Sequence, residues 1–301
     1  MNTNKKASYE KFKVWLSLNT SSLDGKSVAI TGSTGGLGKE LARYVAHLGA
    51  SVVLVDRNLT RSSALKEELI QEFSGVTVEC VTADLSDMTS VKLAAEKLSK
   101  MKIDIFIHNA GAYSIPRKVC DTGFDNVFQI NFVSPYYLIR TLLPGISKLN
   151  GKVVVVGSIA HAYSKTDKDN VDFKNVKAAS KVYGNAKRYL MFSLYNLFKN
   201  EKYATLSVTH PGITFTGITA HYPKLIFAII KHPMKIIFMK PEKAALSILK
   251  GLFDHTDNNE WIGPRVFNVW GLPNKKTLKT VSPEESEYIG NKAEEIYKIL
   301  V

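Results

Sequence analysis

From Ser27 onward the chain alternates short, almost continuously apolar runs with stretches of helical periodicity, and few folds accept that alternation. The runs are SVAIT at Ser27–Thr31, SVVLV at Ser51–Val55, VTVECV at Val76–Val81, IDIFIH at Ile103–His108, KVVVVG at Lys152–Gly157 and TLSVTH at Thr205–His210. A strand wetted on one face alternates apolar and polar residues, whereas a run apolar at nearly every position must be covered on both faces. Six such runs separated by helical segments predict a parallel sheet with helices on each side, a doubly wound α/β fold. The segment after the first run places Leu41, Val45 and Leu48 on one helix face and stops at Gly49. A charged helical pattern around Leu65–Phe73 follows the second run. Such sheets bind ligands at the carboxyl ends of their strands, so the informative residues should stand just after each run.

Within 301 residues there is no linker and no internal repeat, so one domain over 25–301 is the simpler organisation. Residues 1–24 precede it as a helical extension, with Tyr9, Phe12 and Trp15 at helix-like spacing. A helix packed on the domain is favoured there over an interfacial membrane helix. Toward the other end, PEKAALSILKGLF is helical in pattern, and Ser282, Pro283 and Glu285 read as the cap, N1 and N3 of a last helix. The 40 Lys and Arg outnumber the 27 Asp and Glu, giving a net charge of +13. The lysines are dispersed along the chain rather than gathered in a basic block with interleaved aromatics, which argues against a nucleic-acid partner. No apolar stretch is long enough to cross a bilayer and the N-terminus lacks a signal peptide, so a cytoplasmic location is expected, or a peripheral one at a membrane. Cys80 and Cys120 lie in no metal-ligand spacing and make no disulfide framework, so no metal site is expected.

The first apolar run leads into TGSTGGLG, Thr31–Gly38. Gly32 permits a tight turn, while Gly36 and Gly38 let the backbone approach a pyrophosphate at the start of a helix. Ser33, Thr34 and Leu37 lie in the same loop. At the end of the second run, Asp56 could accept hydrogen bonds from both ribose hydroxyls, which favours NAD(H); Arg57 beside it could instead hold the 2′-phosphate of NADP(H). Asp84 and Leu85, in ADL, and Asn109, Ala110 and Gly111, in NAG, follow the third and fourth runs. Asp84 is placed for an adenine contact, and the small residues of NAG for a ribose lying against backbone.

Together with Asn131, Ser158, YGNAK at Tyr183–Lys187 and HPG at His210–Gly212, these motifs resemble the short-chain dehydrogenase/reductase family, in order, over roughly Leu23–Gly217. The glycine string also fits TGxxGxxG of the family's nucleotide-sugar-modifying branch through Gly32, Gly35 and Gly38. The NAG motif and the modest C-terminal region are closer to the single-domain branch. DTGFDNVFQINFVSPYYLIRTLLP and the long Ser158–Tyr183 spacer look like its retinol-dehydrogenase-like group. The resemblance implies a Rossmann-type fold and an NAD(P)-dependent oxidoreductase. Tyr183 would be the general acid/base, Lys187 would lower its pKa and hold the nicotinamide ribose, and Ser158 would orient the substrate oxygen. Asn131 would hold a water leading from Lys187 to solvent. Pro211, Gly212, Ile213 and Thr214 would back the nicotinamide. Two positions depart from the pattern: His108 replaces the first asparagine of NNAG, and Ala186 stands where many relatives carry serine. His161 and His210 are expected to be structural or exposed histidines rather than catalytic ones.

In the family, specificity resides after PG. Here that segment contains HYPKLIFAIIKHPMKIIFMK, His221–Lys240, and a lid over about 213–240 covering a hydrophobic carbonyl or alcohol substrate is expected. The segment's lysines could also touch a membrane, or it could pack on a partner subunit in a homo-oligomer. A non-catalytic NAD(P)-binding sensor or scaffold, and a nucleotide-sugar epimerase or dehydratase, are the competing functions. Retention of Asn131, Ser158, Tyr183 and Lys187 argues against the first, and the lack of a large C-terminal substrate domain against the second.

Overall fold

The computed structural model describes residues 8–214 and 239–301. All six apolar runs form strands: β1 (Ser27–Thr31), β2 (Ser51–Asp56), β3 (Val78–Thr82), β4 (Ile105–His108), β5 (Lys152–Val156) and β6 (Thr205–Thr209). Two more follow that the sequence did not announce, β7 (Glu260–Val266) and β8 (Trp270–Thr277). The sheet order is β3-β2-β1-β4-β5-β6-β7-β8. Every neighbouring pair is parallel except the last, β7 with β8. The order reverses between β1 and β4, which opens a crevice at their carboxyl ends.

The helices are α1 (Ser8–Lys11), α2 (Lys13–Asn19), α3 (Gly36–His47), α4 (Leu59–Glu72), α5 (Met88–Ser99), α6 (Asn126–Phe128), α7 (Ser134–Lys148), α8 (Ala179–Phe198), α9 (Pro241–Phe253) and α10 (Pro283–Leu300). A π-helical turn, Gln129–Val133, joins α6 to α7, and a 3₁₀ turn, Ile159–Tyr163, follows β5. One core layer lies between the sheet and α3, α4 and α9, built around Leu41, Leu54, Leu65 and Leu246. The other lies under α5, α7, α8 and α10, around Phe106, Phe128, Leu190 and Ile289. Both faces of the central strands are thus removed from water, as their composition requires.

The N-terminal residues pack as helices on the first layer. Tyr9 stacks on His47 with ring centroids 4.3 Å apart, and Phe12 and Trp15 lie against the same cluster. At the C-terminus, Ser282 accepts a hydrogen bond from the Glu285 amide at 3.2 Å, as its spacing from Glu285 predicts. The Glu285 carboxylate does not return to the cap; it pairs with Arg188 at 2.7 Å and accepts from Thr166. Among the described residues no helix is long and apolar enough to cross a membrane. Residues 215–238, most of the expected lid, lie outside the described residues.

Candidate active site

The glycine loop leaves β1 at Thr31 and turns at Gly32, whose φ of +67° suits glycine and few other residues. A Cβ at Gly32 would come within 2.9 Å of Ala110 Cα, and one at Gly38 within 2.2 Å of the Gly32 carbonyl oxygen. Bare backbone is therefore required at both. The helix behind the loop, α3, starts after Gly35 with no side chain accepting from its first turn. Asn58, Asp87 and Ser282 do supply that acceptor for α4, α5 and α10. The first-turn amides of α3, with the positive end of its dipole, suit a bound anion such as a pyrophosphate. The residues present fit the dinucleotide that the sequence implies.

Across the crevice, the loop after β4 is stitched to β1. Asn109 Nδ2 donates to the carbonyls of Thr31 and Gly32, each at 3.1 Å. The buried Thr31 hydroxyl accepts from the Asn109 and Ala110 amides, also at 3.1 Å each. With both lone pairs taken, its proton goes to His108 Nδ1 at 3.0 Å. That fixes the neutral His108 ring with its own proton on Nε2, an atom without a partner among the described residues. Burial holds His108 well below the ordinary histidine pKa, and the nearby Lys187 charge pushes the same way. Thr31 and His108 were not singled out as site residues. This stitch is invisible in sequence, because its partners lie 77 or more positions apart.

Asp56 does not stand free for a ribose. Its carboxylate accepts from the Ser33 hydroxyl, and from the Thr34 amide and hydroxyl at 3.1 and 2.9 Å. Arg57 is exposed just beyond it. Asp84 folds back on its own turn, accepting from the Ser86 amide and hydroxyl at 2.8 and 2.7 Å. The Leu85 carbonyl accepts from Ser134 Oγ at 2.7 Å, tying this loop to α7.

The four proposed catalytic residues meet past the ends of β4 and β5. Tyr183 and Lys187 are one turn apart on α8, with Lys187 Nζ 5.8 Å from the Tyr183 ring centroid. Lys187 is fully buried and donates to the Val156 carbonyl at 2.8 Å. Burial lowers its pKa from 10.5 to about 7. Tyr183 is half-buried; desolvation pushes its phenol up to about 12, opposed by a hydrogen bond with Ser158. Ser158 itself caps the 3₁₀ turn by accepting from the Ala160 amide at 3.2 Å. Asn131 sits in the π turn, where its Nδ2 donates to the Ala112 and Val127 carbonyls, both at 2.8 Å. π turns inside α-helices occur often at functional sites. A Cβ at Gly111 would lie 2.9 Å from Asn131 Oδ1 and 3.6 Å from Lys187 Nζ, so that glycine keeps the two side chains within reach of each other.

An apolar wall adjoins Tyr183. Tyr113 meets its ring edge-on at 5.3 Å. Val127, Phe173 and Val182 form a small buried cluster with Ile115, Val176 and Tyr183 against it. The long spacer after Ser158 supplies Phe173 and Val176, and Arg117 pins it by donating to both of their carbonyls at 3.1 Å.

After β6, Gly212 turns at φ +81° and is packed so closely that a Cβ would stand 2.7 Å from the Val269 carbonyl. Pro211, Ile213 and Thr214 continue this loop, and Thr214 bridges to Met239. His161 and His210 are both buried. His161 lies between the Ser158 and Lys279 carbonyls at 2.6 and 2.9 Å, and His210 stacks on Trp261 at 5.0 Å.

The chain matches the short chain dehydrogenase family over residues 26–222, about two thirds of its length, and belongs to that family. Its members are NAD(P)-dependent oxidoreductases, and so is this protein. It is 28% identical over 222 residues to the short-chain dehydrogenase TIC 32 A of Brassica napus, covering 67% of this chain and 68% of the relative. It is 25% identical over 203 residues to human polyprenol dehydrogenase, covering 64% and 62%. Human WW domain-containing oxidoreductase is 29% identical over 201 residues, and the match spans 62% of this chain but only 49% of that protein. A solved structure of a putative uncharacterized protein from Mycobacterium Paratuberculosis shares the fold with a TM-score of 0.72 over 92% of this chain and 95% of its own, at 22% identity. A short-chain dehydrogenase from Sphingobium yanoikuyae in complex with NADPH does so at 0.59, over 75% and 83%, at 23% identity.

Proposed function

We propose that this dehydrogenase interconverts a hydrophobic carbonyl compound and its alcohol, with Tyr183 moving the proton. When bound, the nicotinamide coenzyme supplies or accepts the hydride. The observation that carries the proposal is the convergence of Ser158, Tyr183, Lys187 and Asn131 beside an apolar wall of Tyr113, Ile115, Phe173 and Val176. A phenol held near 12 is protonated at neutral pH, the form that donates to a carbonyl oxygen. Ser158, already bonded to that phenol, orients the same oxygen. Lys187 charges at the cost of burial, and its positive charge favours the phenolate needed in the reverse direction. Asn131 ties the loop at Ala112 to the π turn, and in this reading it holds the water that connects Lys187 with solvent. Among the relatives, the printed names of polyprenol dehydrogenase and of a bulky-bulky ketone specific alcohol dehydrogenase from Comamonas testosteroni point the same way on substrate size.

On the coenzyme, the balance moves from NAD(H), favoured by Asp56 in the sequence, to NADP(H). Three donors already occupy the Asp56 carboxylate, and the exposed Arg57 is placed next to it for a 2′-phosphate. The test is initial rates with NADPH and NADH against carbonyls graded in apolar size. Higher kcat/KM for the bulky members, and a preference for NADPH that Arg57→Ala lowers about tenfold, are expected. Equal rates across the series would remove the hydrophobic-substrate proposal, and a preference for NADH untouched by Arg57→Ala would restore Asp56 to the ribose.

A further inference from the structure

The β7–β8 hairpin ends in a turn that folding alone does not explain. Val269 donates to the Val266 carbonyl at 2.9 Å across Phe267 and Asn268, whose φ values are +49° and +57°. Two consecutive left-handed residues make a type I′ turn, which favours asparagine and glycine. Asn268 suits its place. Phe267 does not: a bulky side chain is disfavoured in that conformation, and here it is also 84% exposed. Val266 and Trp270 pair directly across the strands, so they share a face, and Leu272 follows on β8 just past Gly271, where the register shifts. These three are 43%, 38% and 45% exposed. The tip thus combines backbone strain with a contiguous apolar surface, a conjunction that signals a binding role.

The charge around the tip has one sign. Between Glu260 and Glu284 there is no carboxylate, while Arg265, Lys275, Lys276 and Lys279 all lie in that interval. Arg265 is exposed beside the tip. Lys276 brings its ammonium into the turn itself, donating to the Pro264 and Arg265 carbonyls at 3.0 and 2.7 Å and to Asn268 Oδ1 at 3.3 Å. Lys275 faces Glu260 at 3.6 Å, at the far end of the strand. A strained aromatic tip that carries two cations, Arg265 and Lys276, and no nearby carboxylate in sequence matches a bilayer surface, where aromatic and aliphatic side chains enter the acyl boundary and cations meet lipid phosphates.

We propose that the β7–β8 tip, with Phe267 at its apex and Val266, Trp270 and Leu272 on its flank, docks the protein on an anionic lipid surface. The tip projects from the carboxyl end of β7, the edge of the sheet that carries the site. It also touches the loop after β6: Gly212 abuts Val269 and Pro264. Docking there sets the mouth of the site against the lipid, so a hydrophobic substrate can enter without crossing water. This delivery role rests on the function proposed above; the docking does not.

Flotation of the whole protein with vesicles of phosphatidylcholine, with and without phosphatidylserine, tests the docking without any turnover. Wild type should float with the anionic vesicles, less so at high salt, and weakly with neutral ones. Phe267→Asn should cut the vesicle-bound fraction about tenfold, the value of one aromatic side chain withdrawn from lipid. It should not lower Tm, because asparagine suits the turn, and it should leave turnover of a small water-soluble carbonyl unchanged. Absence of wild-type binding, or equal binding by Phe267→Asn, would overturn the proposal. So would self-association of wild type without lipid that Phe267→Asn abolishes, since the tip would then belong to a second copy. Loss of docking with unchanged rates on bulky substrates would leave the lipid surface standing and remove only its delivery role.

Discussion

Two regions at the same edge of the sheet are built in opposite ways. Where β1 meets β4, the Thr31 hydroxyl, the Asn109 and Ala110 amides and His108 Nδ1 are paired with one another, and the glycines stand where a Cβ would collide. At the β7–β8 tip, a phenylalanine sits in strained backbone and in water. The first region holds together by its own contacts and leaves the uncapped α3 amides for a ligand. The second is complete only against something else. Buried, fully paired groups report structure needed for a bound coenzyme, and exposed strain reports a surface awaiting a partner.

The sharpest break of the first region is Gly38→Ala. With a methyl 2.2 Å from the Gly32 carbonyl, the loop must open. Coenzyme affinity, read by titration of nicotinamide fluorescence, should fall about 100-fold or more. Lys187→Met is next, and it separates function from stability. Turnover should collapse, while Tm rises, since a buried amine held near 7 destabilises the fold wherever it must lose water to stay charged. The sign follows from proton binding: between pH 7 and 10.5 the unfolded chain holds more protons on Lys187, so stability rises with pH over that window. Thermal melts should show that slope in wild type and lose it in Lys187→Met.

Thr31→Val should cost about 1–3 kcal/mol, because it orphans the Asn109 and Ala110 amides and His108 Nδ1 together. Denaturant unfolding reads this directly, and a change under about half a kcal/mol would dissolve the stitch as a stabilising element. The smallest effect belongs to the second region. Phe267→Asn should raise Tm slightly, by relief of the left-handed strain, and a clear fall would mean that the exposed ring supports the hairpin.

The same contrast explains what was legible in the sequence. β1 to β6 were readable because burial on both faces forces unbroken apolar runs, and the Ser282 cap because its chemistry is local. β7 and β8 were not, because EWIGPRV and WGLPNKKT carry glycine and proline and form the outer part of the sheet, where those residues are tolerated. At the site, Tyr183, Lys187, Ser158 and Asn131 could be named because the order of motifs resembles the short-chain dehydrogenase/reductase family. The engagement of Asp56 by Ser33 and Thr34 could not, because it is a choice between a ribose and the loop's own hydroxyls made only in three dimensions. His108 was noticed as a departure, but its fixed tautomer follows from Thr31, in another strand.

The central claim is that Tyr183 transfers the proton, and its most direct test is Tyr183→Phe, measured for turnover and for coenzyme affinity in the same preparation. Loss of about 100-fold or more in kcat/KM with a bulky carbonyl, at unchanged coenzyme Kd, is the predicted result. Undiminished turnover would contradict it and hand the proton to another group.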